Sequence, residues 1–339
     1  MNPKNPLVSI LTLTYNHRKF IGDCIESVQS QTYSNWEMII VDDGSTDDTS
    51  EIISSYAQND SRIKLITREN IGVFRMKENY NLALSHSTGK YIAILDGDDV
   101  WTEDKLEIQV PLLEKNDDSV VCFGQAYRSS IDLTKNTCLS PQKDMPVFRN
   151  NYQKSIDLSY QLILGNIAPA LTLVIRRSAL NEIGGFQQRK NLPLVDLPTL
   201  LELSLIGKFI FVPKPLGKWR HHGNEVTLIH SLSIAEGLYE FSLDFYKRNK
   251  DNPKFSTLTE KIIYKSHHNN YVMRYSRSGR KKLSLKDYSG ARQDYMISIF
   301  KFGFSQPVWK LRSIVGIVFA IFHWDLEKFI RLLGKQSYQ

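Results

Sequence analysis

Between Ile94 and Asp99 the chain reads Ile-Leu-Asp-Gly-Asp-Asp, an apolar stretch that ends in three carboxylates around one glycine. An apolar strand would hold such a loop rigidly. Asp96 and Asp98 would then offer oxygen ligands to a hard divalent cation, and Gly97 would let the backbone approach closely. Mg²⁺ or Mn²⁺ held by one or two carboxylates completes its shell with water and substrate phosphates, which makes a nucleotide or nucleotide-sugar the first substrate class to test. A second reading of the same residues is an acidic turn capping the helix that follows, because carboxylates also suit a helix N-terminus. The choice rests on what the rest of the chain brings to this loop.

Strand and helix patterns alternate from the start. Leu7 to Leu13 is a continuous apolar-rich run, and Phe20, Cys24, Ile25 and Val28 then recur at helical spacing. Trp36 to Val41 predicts a second strand, Ile52, Ile53 and Tyr56 a helix, Arg62 to Thr67 a third strand, and Asn79 to Ser85 part of a helix. Tyr91 to Leu95 is the strand that leads into the acidic loop. Leu106, Val110 and Leu113 predict a helix that Pro111 kinks or ends. Such alternation implies right-handed crossovers and a parallel sheet covered on both faces, with ligands beyond the carboxyl ends of the strands. Polar residues fall at those ends: Tyr15 and Asn16, Asp42 and Asp43, Arg68 and Asn70, Asp96 and Asp98.

Two common phosphate-binding devices are missing. The first strand runs into Thr-Tyr-Asn-His-Arg-Lys without the glycines of a dinucleotide fingerprint, and no phosphate loop with Gly-Lys-Ser/Thr occurs. From about Gly124 to Ile156 the pattern loosens. Leu171 to Ile175 then predicts a buried strand, Leu200 to Leu205 a helical or buried run, and Phe209 to Val212 a short strand before Pro213. After about Thr227 the chain reads as mostly helical.

The 339 residues have ordinary apolar and charged fractions, which excludes wholesale disorder. Three cysteines without metal spacing suit a reducing compartment, and the N-terminus lacks the pattern of a signal peptide, so the expected location is the cytoplasm. The net charge is +7, with a basic cluster from Arg277 to Lys286, and no nucleic-acid-binding signature accompanies it. Ile314 to Phe322, flanked by Lys310, Arg312 and Trp324, is too short to span a membrane. It suits a helix lying in a membrane interface, a core helix or a partner-docking helix.

Together these motifs resemble the family-2 glycosyltransferases. The matching residues are VSILTLTYN (8–16), SVQSQTYSNWEMIIVDDGSTDDT (27–49), ENIGV (69–73), STGKYIAILDGDD (87–99), LVIRRSALNEIGGF (173–186), VDLPTLLELSLIGK (195–208) and WRHHGN (219–224). The resemblance covers roughly residues 7 to 226. It implies a GT-A fold: a mostly parallel, Rossmann-like α/β sheet flanked by helices, with a mainly helical C-terminal extension. The expected domains are residues 1–115 for the nucleotide-sugar, 116–226 for the acceptor, and 227–339 as an extension that contacts a membrane or a partner.

By the same resemblance, the Tyr15 and Asp43 regions hold the base and ribose of the donor. Leu13, where many relatives have a smaller or more polar residue, leaves a backbone contact open. Asp96 and Asp98 form the DxD motif that binds Mg²⁺ or Mn²⁺, with Asp98 the direct ligand, and His222 lies near the diphosphate or metal. Asp196 matches the general base; Val195 replaces an acidic residue often found before it, and the alternative is a helix-capping aspartate. Arg75 or Lys77 meets the diphosphate or is a solvated helix residue. Asp42 orients its turn, Asp99 supports the loop and Arg220 supports the same region, while the pair His267-His268, in a polar helical segment outside the resemblance, is placed on the surface.

The implied reaction moves a sugar from a nucleoside-diphosphate donor, expected to be a UDP-sugar, to a hydroxyl of a glycan or lipid-linked glycan with inversion. The expected setting is cell-surface polysaccharide synthesis, in the cytoplasm or peripheral at the inner face of the cell membrane. A sugar nucleotidyltransferase, or a sugar-binding protein that keeps the fold without turnover, are the alternatives. No residue pattern bears on the oligomeric state.

Overall fold

The structure is a computed structural model that describes residues 5–149, 151–303, 305–326 and 328–329. The chain divides into two compact units, one of residues up to 162 together with 166–222, the other of residues 163–165 together with those from 223 onwards. In the first unit, β1 (Val8–Thr14), β2 (Trp36–Asp42), β3 (Ile63–Thr67) and β4 (Tyr91–Ile94) run parallel in the order β3-β2-β1-β4. Helices α1 (Ile21–Gln29), α2 (Thr49–Asn59) and α3 (Met76–Ser85) connect them. Every residue of β1 and β2 is buried, the pattern of strands covered on both faces.

The sheet continues with β5 (Val100–Trp101), β6 (Ser119–Ser129), β7 (Asn136–Ser140), β8 (Ser155–Ile156), β9 (Val174–Arg176) and β10 (Lys208–Arg220). Beyond β4 the order is β9-β6-β10-β5, with β7 beside β6 and β8 beside β10. Because β9 is antiparallel to both β4 and β6, and β10 is parallel to β6, the long strands keep one direction. The sheet is therefore mostly parallel, as the GT-A resemblance implies.

Three local expectations change. Helix α4 (Lys105–Lys115) continues past Pro111, which lies on the exposed side. Glu107, whose carbonyl loses its donor to Pro111, is itself exposed, while Leu106, Val110 and Leu113 are buried. Leu171 to Ile175 is a single 3₁₀ turn, Ala170–Thr172, followed by β9. Thr172 Oγ1 bonds the carbonyls of Pro169 (2.8 Å) and Gly124 (3.2 Å), and a short all-apolar run does not by itself separate strand from buried turn. The strand expected to stop before Pro213 instead runs through Pro213 and Pro215 to Arg220, with register shifts around Pro215 that absorb the missing donors.

The second unit is helical, with long helices at Ser231–Asn249, Glu260–Ser284, Tyr288–Phe300 and Pro307–Ile321. The placement of His267 on the surface is corrected: His267 is buried, with Nε2 3.0 Å from the carbonyl oxygen of Ile163. That partner lies 104 residues away, which no local pattern reveals.

One core residue in the first unit violates its surroundings. Lys105 is fully buried, its Nζ lies 4.1 Å from the Trp101 ring centroid, and no hydrogen-bond partner satisfies it among the described residues. Burial lowers its pKa to about 7. The unfolded chain, with an ordinary lysine near pH 10.4, therefore binds the extra proton between about pH 7 and 10, and stability rises with pH across that window. Lys105→Met should stabilise the protein at pH 7 by about 1–3 kcal/mol. That gain should shrink as pH approaches 10. Urea unfolding of both proteins at several pH values checks this, and a gain that does not change with pH would contradict it.

Candidate functional site

The ladder between β1 and β4 carries the acidic loop into place. Leu95 N–H donates to Leu11 O (3.2 Å) and Gly97 N–H to Leu13 O (2.9 Å), while Asp99 N–H closes a turn onto Asp96 O (3.1 Å). Gly97 is required by close approach, since a Cβ there would lie 2.8 Å from Thr14 Oγ1 and 3.1 Å from His17 Nδ1. The loop is thus pressed onto the end of β1.

Each carboxylate in it has a different partner. Tyr80 on α3 donates its hydroxyl to Asp96 Oδ1 (2.6 Å). His222 Nε2 lies 3.0 Å from Asp98 Oδ2. Arg220 N–H donates to Asp99 Oδ1 (2.9 Å), and its guanidinium reaches Asp98 O (2.8 Å), Asp23 Oδ2 (2.7 Å) and the carbonyl of Ile131. Burial and the charge of Asp98 raise Asp96 to about 7. Burial also opposes the charge on Asp98, but the bond to His222 and the nearby imidazoles of His17 and His222 outweigh it and hold that carboxyl below its usual value. Asp99 is pushed up by burial and by Asp98.

Asp196 is the first residue of the helix Asp196–Ile206. Its Oδ2 accepts from Asn166 Nδ2 (2.5 Å), whereas Oδ1 is buried without a hydrogen-bond partner among the described residues. Burial raises its pKa. Its charge acts on both Asp96 and Tyr80.

The remaining expected residues occupy the neighbouring strand ends. Asp43 follows β2, and its carboxylate accepts from Ile71 N–H (3.1 Å), Gly72 N–H (3.1 Å) and Asn79 Nδ2 (2.9 Å). Asp42 accepts from Ser45 N–H (3.1 Å) and Ser45 Oγ (2.6 Å), which orients the turn. Leu13 is buried within β1, and Tyr15 just beyond it is 45% exposed. Arg75 is exposed and its side chain is engaged by Glu78 at 2.7 Å.

Asp98 and His222 thus come together directly, Asp96 feels the charges of Asp98 and Asp196, and Arg75 is paired with Glu78. Sequence reasoning missed Tyr80, His17 and Asn166. Burial lowers the His17 pKa, which favours the neutral ring, and its Nδ1 has no hydrogen-bond partner among the described residues. The His17 ring centroid lies 6.3 Å from that of His222. Its position two residues after Tyr15 at a strand end was the available signal.

Among the described residues, no group of three or more His, Cys, Asp and Glu side chains stands ready to hold a metal. The donors present nevertheless fit a hard cation shared with a substrate. Asp98 and His222 are in contact, burial and then the charge of Asp98 raise the neighbouring Asp96 to about 7, and positive charge there would stabilise both carboxylates.

The chain is similar to known proteins. WfgD of Escherichia coli, a UDP-Glc:alpha-D-GlcNAc-diphosphoundecaprenol beta-1,3-glucosyltransferase, is 34% identical over 177 residues, 52% of this chain and 62% of WfgD. TuaG of Bacillus subtilis (strain 168) is 45% identical over 109 residues, 32% of this chain and 42% of TuaG. The chain thus spans less than two thirds of both of these relatives. The solved structure of Staphylococcus aureus TarS 1–349 in complex with UDP-GlcNAc superposes with a TM-score of 0.57 at 15% identity, covering 98% of this chain and 93% of that one, a likeness of fold. Residues 9–184, just over half of the sequence, match the description Glycosyl transferase family 2, and the chain belongs to that family.

Proposed function

We propose that the protein is a metal-dependent, inverting glycosyltransferase that moves a sugar from a nucleoside-diphosphate donor, a UDP-sugar, to a hydroxyl of a glycan or lipid-linked glycan in cell-surface polysaccharide synthesis. Residues 1–115 serve the donor and 116–226 the acceptor. The chain works in the cytoplasm, peripheral at the inner face of the membrane. The observation that carries the reading is the buried acidic loop, with Asp98 against His222 and Asp196 close enough to perturb Asp96. Support for the donor and acceptor classes comes from WfgD, whose name states both.

Asp98 and Asp96, with His222 beside them, are the residues that would hold Mg²⁺ or Mn²⁺. Such a cation supplies positive charge to the diphosphate as it leaves. Asp43, locked by the backbone of Ile71 and Gly72, shapes the floor on which the base and ribose rest, and Tyr15 offers an exposed ring next to it. The Leu13 backbone continues that floor. Arg75 reaches the diphosphate only after releasing Glu78.

Asp196 takes the proton from the attacking acceptor hydroxyl. Asn166 fixes one of its oxygens and the other has no hydrogen-bond partner among the described residues, so one lone pair is ready for the substrate. A base with a raised pKa is better matched to a neutral medium than an ordinary aspartate. A single base acting opposite the leaving group corresponds to direct displacement and inversion.

Four outcomes test this. With Mn²⁺, the correct UDP-sugar at about 100 times its Kd should stabilise the fold by about 2.7 kcal/mol, and Asp98→Asn should lose the metal-dependent part of that shift. Equal shifts with and without Mn²⁺ in the native protein would remove the metal assignment. Asp196→Asn should keep the donor-induced shift and lose about 10²–10⁴-fold in transfer. Near-normal turnover would move the base elsewhere, Glu202 being next to examine. Because the base must be ionised, native kcat/KM should fall on acidification at a pH above the ordinary aspartate range, and this limb should be missing from the residual activity of Asp196→Asn. Release of a nucleoside diphosphate, rather than pyrophosphate, separates transfer from nucleotidyl chemistry.

A further inference from the structure

The net positive charge of this chain comes from one part of it. Residues 1–222 carry 24 Lys and Arg against 26 Asp and Glu, whereas residues 223–339 carry 19 against 10. The first stretch is therefore −2 and the second +9, so the helical part supplies the whole surplus.

The same part has an apolar face left over after its core is built. In the helix Pro307–Ile321 the inner face is Ser313, Gly316, Phe319 and Ala320, all buried. Ser313 Oγ bonds Ser298 Oγ at 3.0 Å, and a Cβ on Gly316 would collide with the Tyr295 ring, so small residues set the helix tightly on its neighbours. The outer face is also apolar. Val308 (69% exposed), Leu311 (63%), Ile314, Val315, Val318 and Ile321 (52%) are all exposed. At about 100° per residue they cover an arc of about 140°, with Lys310 at one edge and Arg312 at the other. Trp309 is flanked by Arg277 at 5.1 Å and Arg312 at 4.5 Å from its ring centroid, and Lys281 and Lys286 are exposed on the same unit.

An apolar stripe edged by Trp, Arg and Lys is complementary to a surface with a hydrocarbon interior and anionic headgroups. The helix is about 22 Å long, short of the ~30 Å hydrocarbon layer, and no helix among the described residues is long and apolar enough to cross a membrane. We propose that the outer face of Pro307–Ile321 docks in the plane of an anionic lipid membrane, with Arg277, Lys281, Lys286 and Arg312 meeting the headgroups. This deepens the reading of a peripheral location, and its test measures lipid binding alone, so it stands or falls separately from sugar transfer.

Co-sedimentation of the full chain with vesicles decides it. Vesicles of phosphatidylcholine with about a quarter phosphatidylglycerol should bind the chain at least about tenfold more strongly than phosphatidylcholine alone, and raised salt should weaken that binding. Leu311→Glu/Val318→Glu should lose about tenfold or more in binding without a change in melting temperature. Lys281→Glu/Lys286→Glu, which leaves the apolar face intact, should also lose about tenfold. The proposal fails if the native chain stays in the supernatant with both vesicles, or if both double variants bind like the native chain. It also fails if light scattering finds a dimer that Leu311→Glu/Val318→Glu dissociates while vesicle binding is unchanged, which would make the face an interface between copies.

Discussion

Three carboxylates sit in four consecutive residues at the end of a buried strand, and the cost of burying them together, with their mutual repulsion added, is the constraint on which the site depends. Isolated burial of this kind is unfavourable by several kcal/mol per charge. Arg220 is the main counterweight. It is itself buried and binds the Asp98 carbonyl, the Asp99 carboxylate and Asp23. His222 and Tyr80 complete the set, one for Asp98 and one for Asp96. The outcome is unequal: Asp98 remains ionised below its usual value while Asp96 rises to about 7.

The sheet is arranged so that Arg220 can do this. β5 begins directly after Asp99 and pairs antiparallel with β10, with Val100 opposite Lys218 and Trp101 opposite Gly217. Continuing that register by two residues sets Arg220 opposite Asp98, where the hydrogen bonds are found. β10 reaches this point only because it passes through Pro213 and Pro215 with shifted register instead of stopping. The bulged strand and the acidic loop are therefore parts of one device. Tyr80, carried by the crossover helix α3, holds Asp96 in the same loop.

Much of this was legible in the sequence. Alternating apolar runs and helical spacing are local properties, and they indicated the parallel half of the sheet and the polar residues at its strand ends. The acidic loop and the WRHHGN segment were each recognisable as motifs. Their meeting was not, because Asp98 and His222 are 124 residues apart. Tyr80, His17 and Asn166 were missed for a related reason: each is an ordinary residue type on an ordinary element, and only its neighbour in space gives it a role. Lys105 and His267 were misread or passed over because charged and polar side chains at helical positions look solvated until the fold covers them.

What the residue order alone determined is the chemistry on offer: an acidic loop after a buried strand, a candidate base at Asp196, an α/β alternation, and a basic helical end with an apolar run. The base at Asp196 follows from the family resemblance, and the others from side-chain type and short-range periodicity. Tertiary structure decided how the carboxylates share their charge, which of them is held by an imidazole, and that the apolar run has one face packed and one face open. Those outcomes depend on burial and on partners far away in sequence, and a hydrogen bond or a desolvated charge exists only once the chain has brought both sides together.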